Sequence, residues 1–331
     1  MPRTVSRIAL GSRGMDLTLI TIAAPHAPPG AERRRIGGKG PVVAITANVH
    51  GDECTGVGTV LRLLPILDAT LLRGTVHLYP TLNPEGLERR SRKVPEDDQD
   101  LNRLFPGDPS GSPSERLAHA VWTDLCAHTP DLVIDLHTDA PASLPYALLD
   151  RATGLRHAVR GPLEASAHAI ATSSGLTVLH EYPEDRYARY RLDRSLTGAV
   201  LNRLQVPAVT IEAGPRLYLD TAAIDTATDA VLGMLHALEM VESPAVPHPT
   251  RVEGGPWRRD SGPRASSTGV LVPRVAPGML LERGDLVAEI RALSGALLEE
   301  IHADDTGFVV SLAERTHVVA GVPVCTFALR E

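Results

Sequence analysis

The chain has 331 residues, 43% of them hydrophobic and 22% charged. That is the balance of a globular protein with a well-buried core and room for more than one domain. A net charge of −7, with no basic stripe interleaved with aromatics, argues against a nucleic-acid partner. No apolar run is long enough for a membrane span, and the N-terminus lacks the apolar segment of a signal peptide. Cys54, Cys126 and Cys325 are scattered without a C-x-x-C pair, which fits a reducing cytoplasm and argues against a cysteine-based metal site. Lys39 and Lys93 are the only lysines; nearly all positive charge is arginine.

In chain order, residues 5–24 alternate loosely around a Gly-Ser-Arg-Gly turn and read as an opening hairpin. The Pro, Gly and Arg content of 25–40 reads as a loop. Val42 to Ala47 is a run of small and β-branched apolar residues, as in a strand buried on both faces of a parallel sheet. It ends in Asn48-Val49-His50-Gly51-Asp52-Glu53, with Gly51 allowing a tight turn between an imidazole and a carboxylate. Val57, Val60, Leu61, Leu64 and Leu67 then repeat at helical spacing, and Pro65 predicts a kink or an early stop. A short strand at 75–80 leads into 87–107, a highly charged stretch without periodicity, of the kind that is functional or disordered in a compact domain.

Ser112-Pro113-Ser114-Glu115 predicts a helix start, with Ser112 as cap, Pro113 in the first turn and Glu115 completing a capping box. Leu117, Val121 and Leu125 supply its buried stripe. Strands are expected at 132–136, 177–180 and 208–211, and helices at about 162–174, 195–204 and 221–241. Strands alternating with helices point to a mainly parallel α/β sheet flanked by helices. After Glu242 the composition turns rich in Pro and Gly. The expected organisation is a catalytic domain over 1–245, a linker over 246–267 and a small all-β domain over 268–331 packing near the active site.

Three buried strands each end in an ionisable residue: His50 with Glu53, then His137, then Glu212. In a parallel sheet these ends lie on one side, where open α/β sheets bind ligands. Two imidazoles and a carboxylate suit a catalytic zinc, which takes three protein groups and keeps one position open for water. Asp135, two residues before His137, shares its face of the strand and can hydrogen-bond the imidazole from behind.

The residues His50-Gly-Asp-Glu53, Asn83-Pro-x-Gly86 through Arg92 to Asp100-Leu-Asn-Arg-Leu-Phe-Pro-Gly107, His137 and Ile211-Glu-Ala-Gly214 together resemble the succinylglutamate desuccinylase/aspartoacylase family of the zinc carboxypeptidase superfamily. The resemblance implies a zinc carboxypeptidase-like fold with an appended β domain, and one zinc per chain on His50, Glu53 and His137. It further implies Glu212 as the catalytic carboxylate, Arg92 as the arginine that polarises the scissile carbonyl, and Asn102 with Arg103 as the holders of a substrate carboxylate. The segment 93–100 is longer and more acidic than in compact desuccinylases and is similar to the carboxypeptidase branch. Arg189, Tyr190, Arg191 and Arg203 match no firm motif. The β domain resembles biotinyl carriers, but residues 250–331 contain no lysine, which excludes that role.

The resulting expectation is a cytoplasmic zinc hydrolase that cleaves the amide of a small N-acyl amino acid carrying a carboxylate, with homo-oligomerisation left open. The alternatives are a metallocarboxypeptidase acting on peptides and a catalytically silent zinc-binding protein. The acidic run Glu96 to Asp100 adds an expectation of preference for substrates with an extra positive charge, unless the run pairs with Arg89 to Lys93.

Overall fold

The computed structural model describes residues 3–8, 16–24 and 40–331. The expected Gly-Ser-Arg-Gly turn and nearly all of the 25–40 loop lie outside them, but the hairpin strands β1 (Arg3–Ile8) and β2 (Leu17–Ala23) pair antiparallel. There follow β3 (Val42–Ala47), α1 (Thr55–Thr70), β4 (Thr75–Tyr79), α2 (Pro84–Arg89), α3 (Pro113–Ala127), β5 (Leu132–His137), β6 (Tyr146–Leu149), α4 (His157–Thr172), β7 (Thr177–His180), α5 (Glu184–Arg189), α6 (Leu196–Ala199), β8 (Ala208–Glu212) and α7 (Thr221–Ala237). The remainder is β-structure: β9 (Trp257–Asp260), β10 (Gly269–Pro273), β11 (Leu280–Leu281), β12 (Leu286–Arg291), β13 (Leu297–His302), β14 (Gly307–Leu312), β15 (His317–Val318) and β16 (Cys325–Arg330).

Twelve strands form one mixed sheet in the order β1-β2-β4-β3-β5-β8-β6-β7-β9-β16-β14-β11. Its centre, β4-β3-β5-β8, is parallel, as the buried apolar runs predict. The sheet becomes mixed where β6 joins β8 antiparallel while pairing parallel with β7. A second sheet, β13-β12-β10-β15, stands apart. Strand β9 lies within 246–267 and links β7 to β16, so the main sheet runs unbroken into the C-terminal β-region.

Period-two alternation sorts the central strands between two cores. Val43, Ile45, Ile134, Val209 and Ile211 face α1, α4 and α7. Ala44, Val133 and Ala208 face α3 and α6. Thr46, Asp135, His137, Thr210 and Glu212 follow the second set in alternation, so the polar residues of these strands lie on the face of α3 and α6.

The early stop offered as one alternative at Pro65 does not occur, and the helix expected from about Pro162 starts earlier. The helix after His50 runs through Pro65 to Thr70, and α4 begins at His157 with Pro162 inside it. The carbonyls that lose a partner belong to Leu61 and Ala158, both on exposed residues, where water replaces the missing N–H. Leu61 is therefore outside the buried stripe, at 54% exposure, and Leu63 takes its place in the core. The helix expected over 195–204 is a short α-turn continued by a π-turn, Val200–Leu204, and α7 stops at Ala237.

Candidate active site

The turn after β3 delivers His50 and Glu53. Asn48 takes a left-handed φ of 57°, and its side-chain amide donates to the carbonyls of His50 (2.9 Å) and Glu53 (3.0 Å). Gly51 serves close packing: a Cβ there would meet the Gly86 carbonyl carbon at 2.0 Å. The sharp turn thus belongs to Asn48, and the glycine lets α2 approach.

His50, Glu53 and His137 are 2, 2 and 6% exposed, and one ligand atom from each lies within 4.8 Å of the others. His50 Nδ1 is 2.8 Å from Glu53 Oε1, and His137 Nδ1 is 2.9 Å from Glu53 Oε2. Behind them, Asp135 lies 2.9 Å from His137 Nε2 and accepts from the Thr46 hydroxyl at 2.7 Å. Asp100 lies 3.0 Å from His50 Nε2. Each imidazole is therefore held at one nitrogen by a carboxylate and presents Nδ1 to the common centre. Although burial opposes ionisation, the charges of His50 and His137 hold Glu53 well below the usual carboxylate range. Two neutral-capable nitrogens and one carboxylate oxygen, converging in a dry site with carboxylates behind them, fit a zinc ion.

Glu212 ends β8 directly across from His137. Burial pushes its carboxyl up to about 8, and its Oε2 has no hydrogen-bond partner. These groups line a cavity of about 190 Å³ with Arg92, Asn102 and Arg103, so every residue expected at the site borders one space. Arg92 donates to Glu53 Oε1 at 2.8 Å while its side chain stays 40% exposed. Asn102 and Arg103 sit in a single 3₁₀ turn, capped by Asp100. Asn102 Oδ1 accepts from Leu196 N (2.7 Å), and Arg103 donates to the Asn102 carbonyl (2.6 Å).

The acidic run does not supply a charged wall. Asp98 pairs with Lys93 (2.7 Å), Asp97 accepts from Ser114 N at the start of α3, Asp100 is taken by His50, and Glu96 is exposed. The stretch 87–107 is accordingly ordered, by α2, a Val94–Gln99 bridge and the 3₁₀ turn.

The sequence reading assigned no role to five ionisable residues of the cavity, Asp139, Asp150, Glu181, Arg216 and Arg259. Asp150 follows β6, Glu181 follows β7, and Arg259 lies on β9. Arg259 donates to Glu181 at 2.9 Å and stacks 4.9 Å over the Tyr182 ring. Glu181 carried the same strand-end signal as His137; Arg259, in a Pro- and Gly-rich stretch, carried none. Arg189, Tyr190, Arg191 and Arg203 do not line the cavity.

A mixed sheet with helices on both faces and a buried His-Glu-His group at the parallel strand ends defines an α/β protein of carboxypeptidase-like architecture. The model for the succinylglutamate desuccinylase/aspartoacylase catalytic domain matches residues 39–238, and the chain belongs to that family of deacylases. Similar solved structures include a succinylglutamate desuccinylase/aspartoacylase from Rhodobacter sphaeroides, at TM-score 0.78 and 21% identity over 99% of this chain and 96% of that one. An ectoine utilization protein from Ruegeria pomeroyi superposes at TM-score 0.74 and 20% identity, covering 95% and 89%. A metallo-carboxypeptidase from Burkholderia cenocepacia reaches TM-score 0.51 at 19% identity, covering 71% and 64%. Among curated proteins, the N-alpha-acetyl-L-2,4-diaminobutyric acid deacetylase of Halomonas elongata is 35% identical over 129 residues, which are 38% of this chain and 37% of that relative. The matched part thus spans little over a third of that relative's length.

Proposed function

We propose that the chain is a zinc-dependent amidohydrolase that removes the acyl group from a small N-acyl amino acid, with one zinc held by His50, Glu53 and His137. The observation that carries this reading is a buried His-Glu-His cluster facing a glutamate with an unpartnered oxygen, in a cavity that also holds Arg103. Bound there, zinc would polarise the scissile carbonyl and bring the pKa of a coordinated water toward about 7.

In this reading Glu212 takes the proton of the attacking water and returns it to the leaving amine, a role worth on the order of 10²–10⁴-fold. Arg92 reaches the edge of the cluster and is the donor for the oxyanion that develops on the scissile carbonyl. Asn102 and Arg103 receive the substrate carboxylate, Arg103 with the planar fork that matches it bidentately. In support, no ion pair with a carboxylate occupies Arg103 among the described residues, whereas Arg92 is drawn to Glu53.

A cavity of about 190 Å³ supports a small substrate over a long peptide, and Glu212 argues against a closed structural zinc, which would take four protein ligands. Residues 311–315 border a neighbouring cavity that shares Asp139 and Arg216 with the site; we read the β-region after residue 267 as narrowing the entrance. All three cysteines are free thiols, in keeping with a cytoplasmic location. The relative from Halomonas elongata makes N-acetylated diamino acids the first substrates to assay.

The test is hydrolysis of a panel of N-acyl amino acids and short peptides, with and without a chelator. Metal-loaded protein should contain about one zinc per chain, and His50→Ala or His137→Ala should abolish it. Glu212→Gln should keep metal and fold but lose turnover by several orders of magnitude. Full zinc occupancy in either histidine variant, or near-normal turnover in Glu212→Gln, would refute the site as described.

A further inference from the structure

The cavity extends away from the metal cluster along β8 and β6. Tyr146 and Leu148 lie opposite Glu212 and Thr210, and Asp150 continues that row two residues beyond Leu148. At about 3.3 Å per residue, Asp150 sits roughly 13 Å along the backbone from the level of Tyr146 and Glu212, at the far end of the space that Leu148, Thr210 and Glu212 line.

The charges at that end do not balance. The Tyr187 hydroxyl donates to Asp150 Oδ1 at 2.7 Å, and the Thr197 hydroxyl also faces the carboxyl. Among the described residues no lysine, arginine or histidine forms a salt bridge with it. Arg259, which borders the same cavity, is held by Glu181 at 2.9 Å and leaves a buried Nε without an acceptor. Arg103 has the substrate carboxylate as its assigned partner. Among the described residues the Asp150 carboxylate thus has hydroxyl partners but no cationic one in a salt bridge, and the Arg259 Nε–H has no acceptor.

We infer that Asp150 is the specificity-determining residue of the cavity and accepts an ammonium group on the amino-acid portion of the substrate, so that N-acyl derivatives of diamino acids are preferred over those of neutral or acidic ones. The inference rests on the deacylase reading and adds to it the residue that selects the side chain. An ammonium donates to the carboxylate oxygens and compensates a charge that the hydroxyls of Tyr187 and Thr197 only solvate. Burial, with the nearby charge of Glu181, pushes Asp150 up to about 6, so at pH 7.5 the carboxylate is available. The free Arg259 N–H is left for a carbonyl or hydroxyl of the same ligand.

The experiment compares N-α-acetyl diamino acids of increasing side-chain length with their uncharged isosteres, in which a methyl replaces the ammonium, and with N-acetyl-L-glutamate. The wild type should favour the best cationic substrate over its isostere by about 30-fold or more in kcat/KM, the size expected for one desolvated charge pair, mainly through KM. Asp150→Asn should erase that preference while leaving the isostere's kcat within a few-fold, and Asp150→Glu should retain part of it. Equal losses on charged and uncharged substrates in Asp150→Asn would make Asp150 merely structural and overturn the inference. So would a wild type that prefers the isostere or N-acetylglutamate, a result that needs no variant to fold. Hydrolysis of no N-acyl amino acid at all would overturn the deacylase reading as well, which keeps the two failures apart.

Discussion

Asp150 is raised to about 6 by burial and by Glu181, against about 3.9 for an unfolded aspartate. Between these values the folded chain binds a proton that the unfolded chain has released. The contribution is therefore present below about pH 4 and lost as pH rises through about 6. Asp150→Asn should raise the stability at pH 7.5 by on the order of 2 kcal/mol and change it little at pH 4, as read from denaturant midpoints at the two values. A stability difference that does not vary with pH would mean that Asp150 is not desolvated in the folded state. Asp135 is held by the Thr46 hydroxyl and aligns His137. Asp135→Asn should leave the fold intact and weaken zinc affinity by about 10–100-fold, measured by competition with a chromogenic chelator; unchanged affinity would remove Asp135 from the site.

At the scale of elements, α3 supports the 3₁₀ turn that carries Asn102 and Arg103. Its Ser112 side chain accepts from Glu115 N while the Glu115 carboxylate accepts from Ser112 N, and Asp97 takes Ser114 N. Ala118, Val121 and Leu125 then pack into the cluster that holds Leu101, Leu104 and Phe105, the residues flanking Asn102 and Arg103. Ser112→Ala should cost about 1 kcal/mol of stability and leave kcat at saturating substrate unchanged; a stability change below a few tenths would show the cap to be dispensable. The capping box was readable because it is a contact three residues apart. The prolines at 65 and 162 misled because a proline rule is local, whereas the cost of a lost hydrogen bond depends on whether water reaches the orphaned carbonyl.

At the scale of the whole molecule, catalytic and C-terminal regions share one sheet. Trp257, Phe308, Val310 and Ala328 pack with Leu144, Tyr146, Leu148 and Leu179 in a single cluster, and β9 covers the edge of β7. A chain ending at Ala245 would retain His50, Glu53, His137 and Glu212, but expose the β7 edge and lose Arg259. It should be recovered mainly as aggregate, with little turnover in any soluble fraction; a monomeric, fully active truncation would show that the C-terminal region is independent.

The central strands, and the residues at their ends, could be read from the sequence because continuous apolar runs mark strands buried on both faces. In a parallel sheet the carboxyl ends of such strands must converge, and that placed His50, Glu53, His137 and Glu212 together across gaps of many tens of residues. Asn102 and Arg103, which border the same cavity, were named from the family motif alone. Strands β6 and β9 were not read from the sequence, and their pairing is set by neighbours far away in the chain. Asp150 and Arg259 inherit that invisibility: which groups in the cavity are paired with which depends on distances between strands, and those exist only once the sheet has formed.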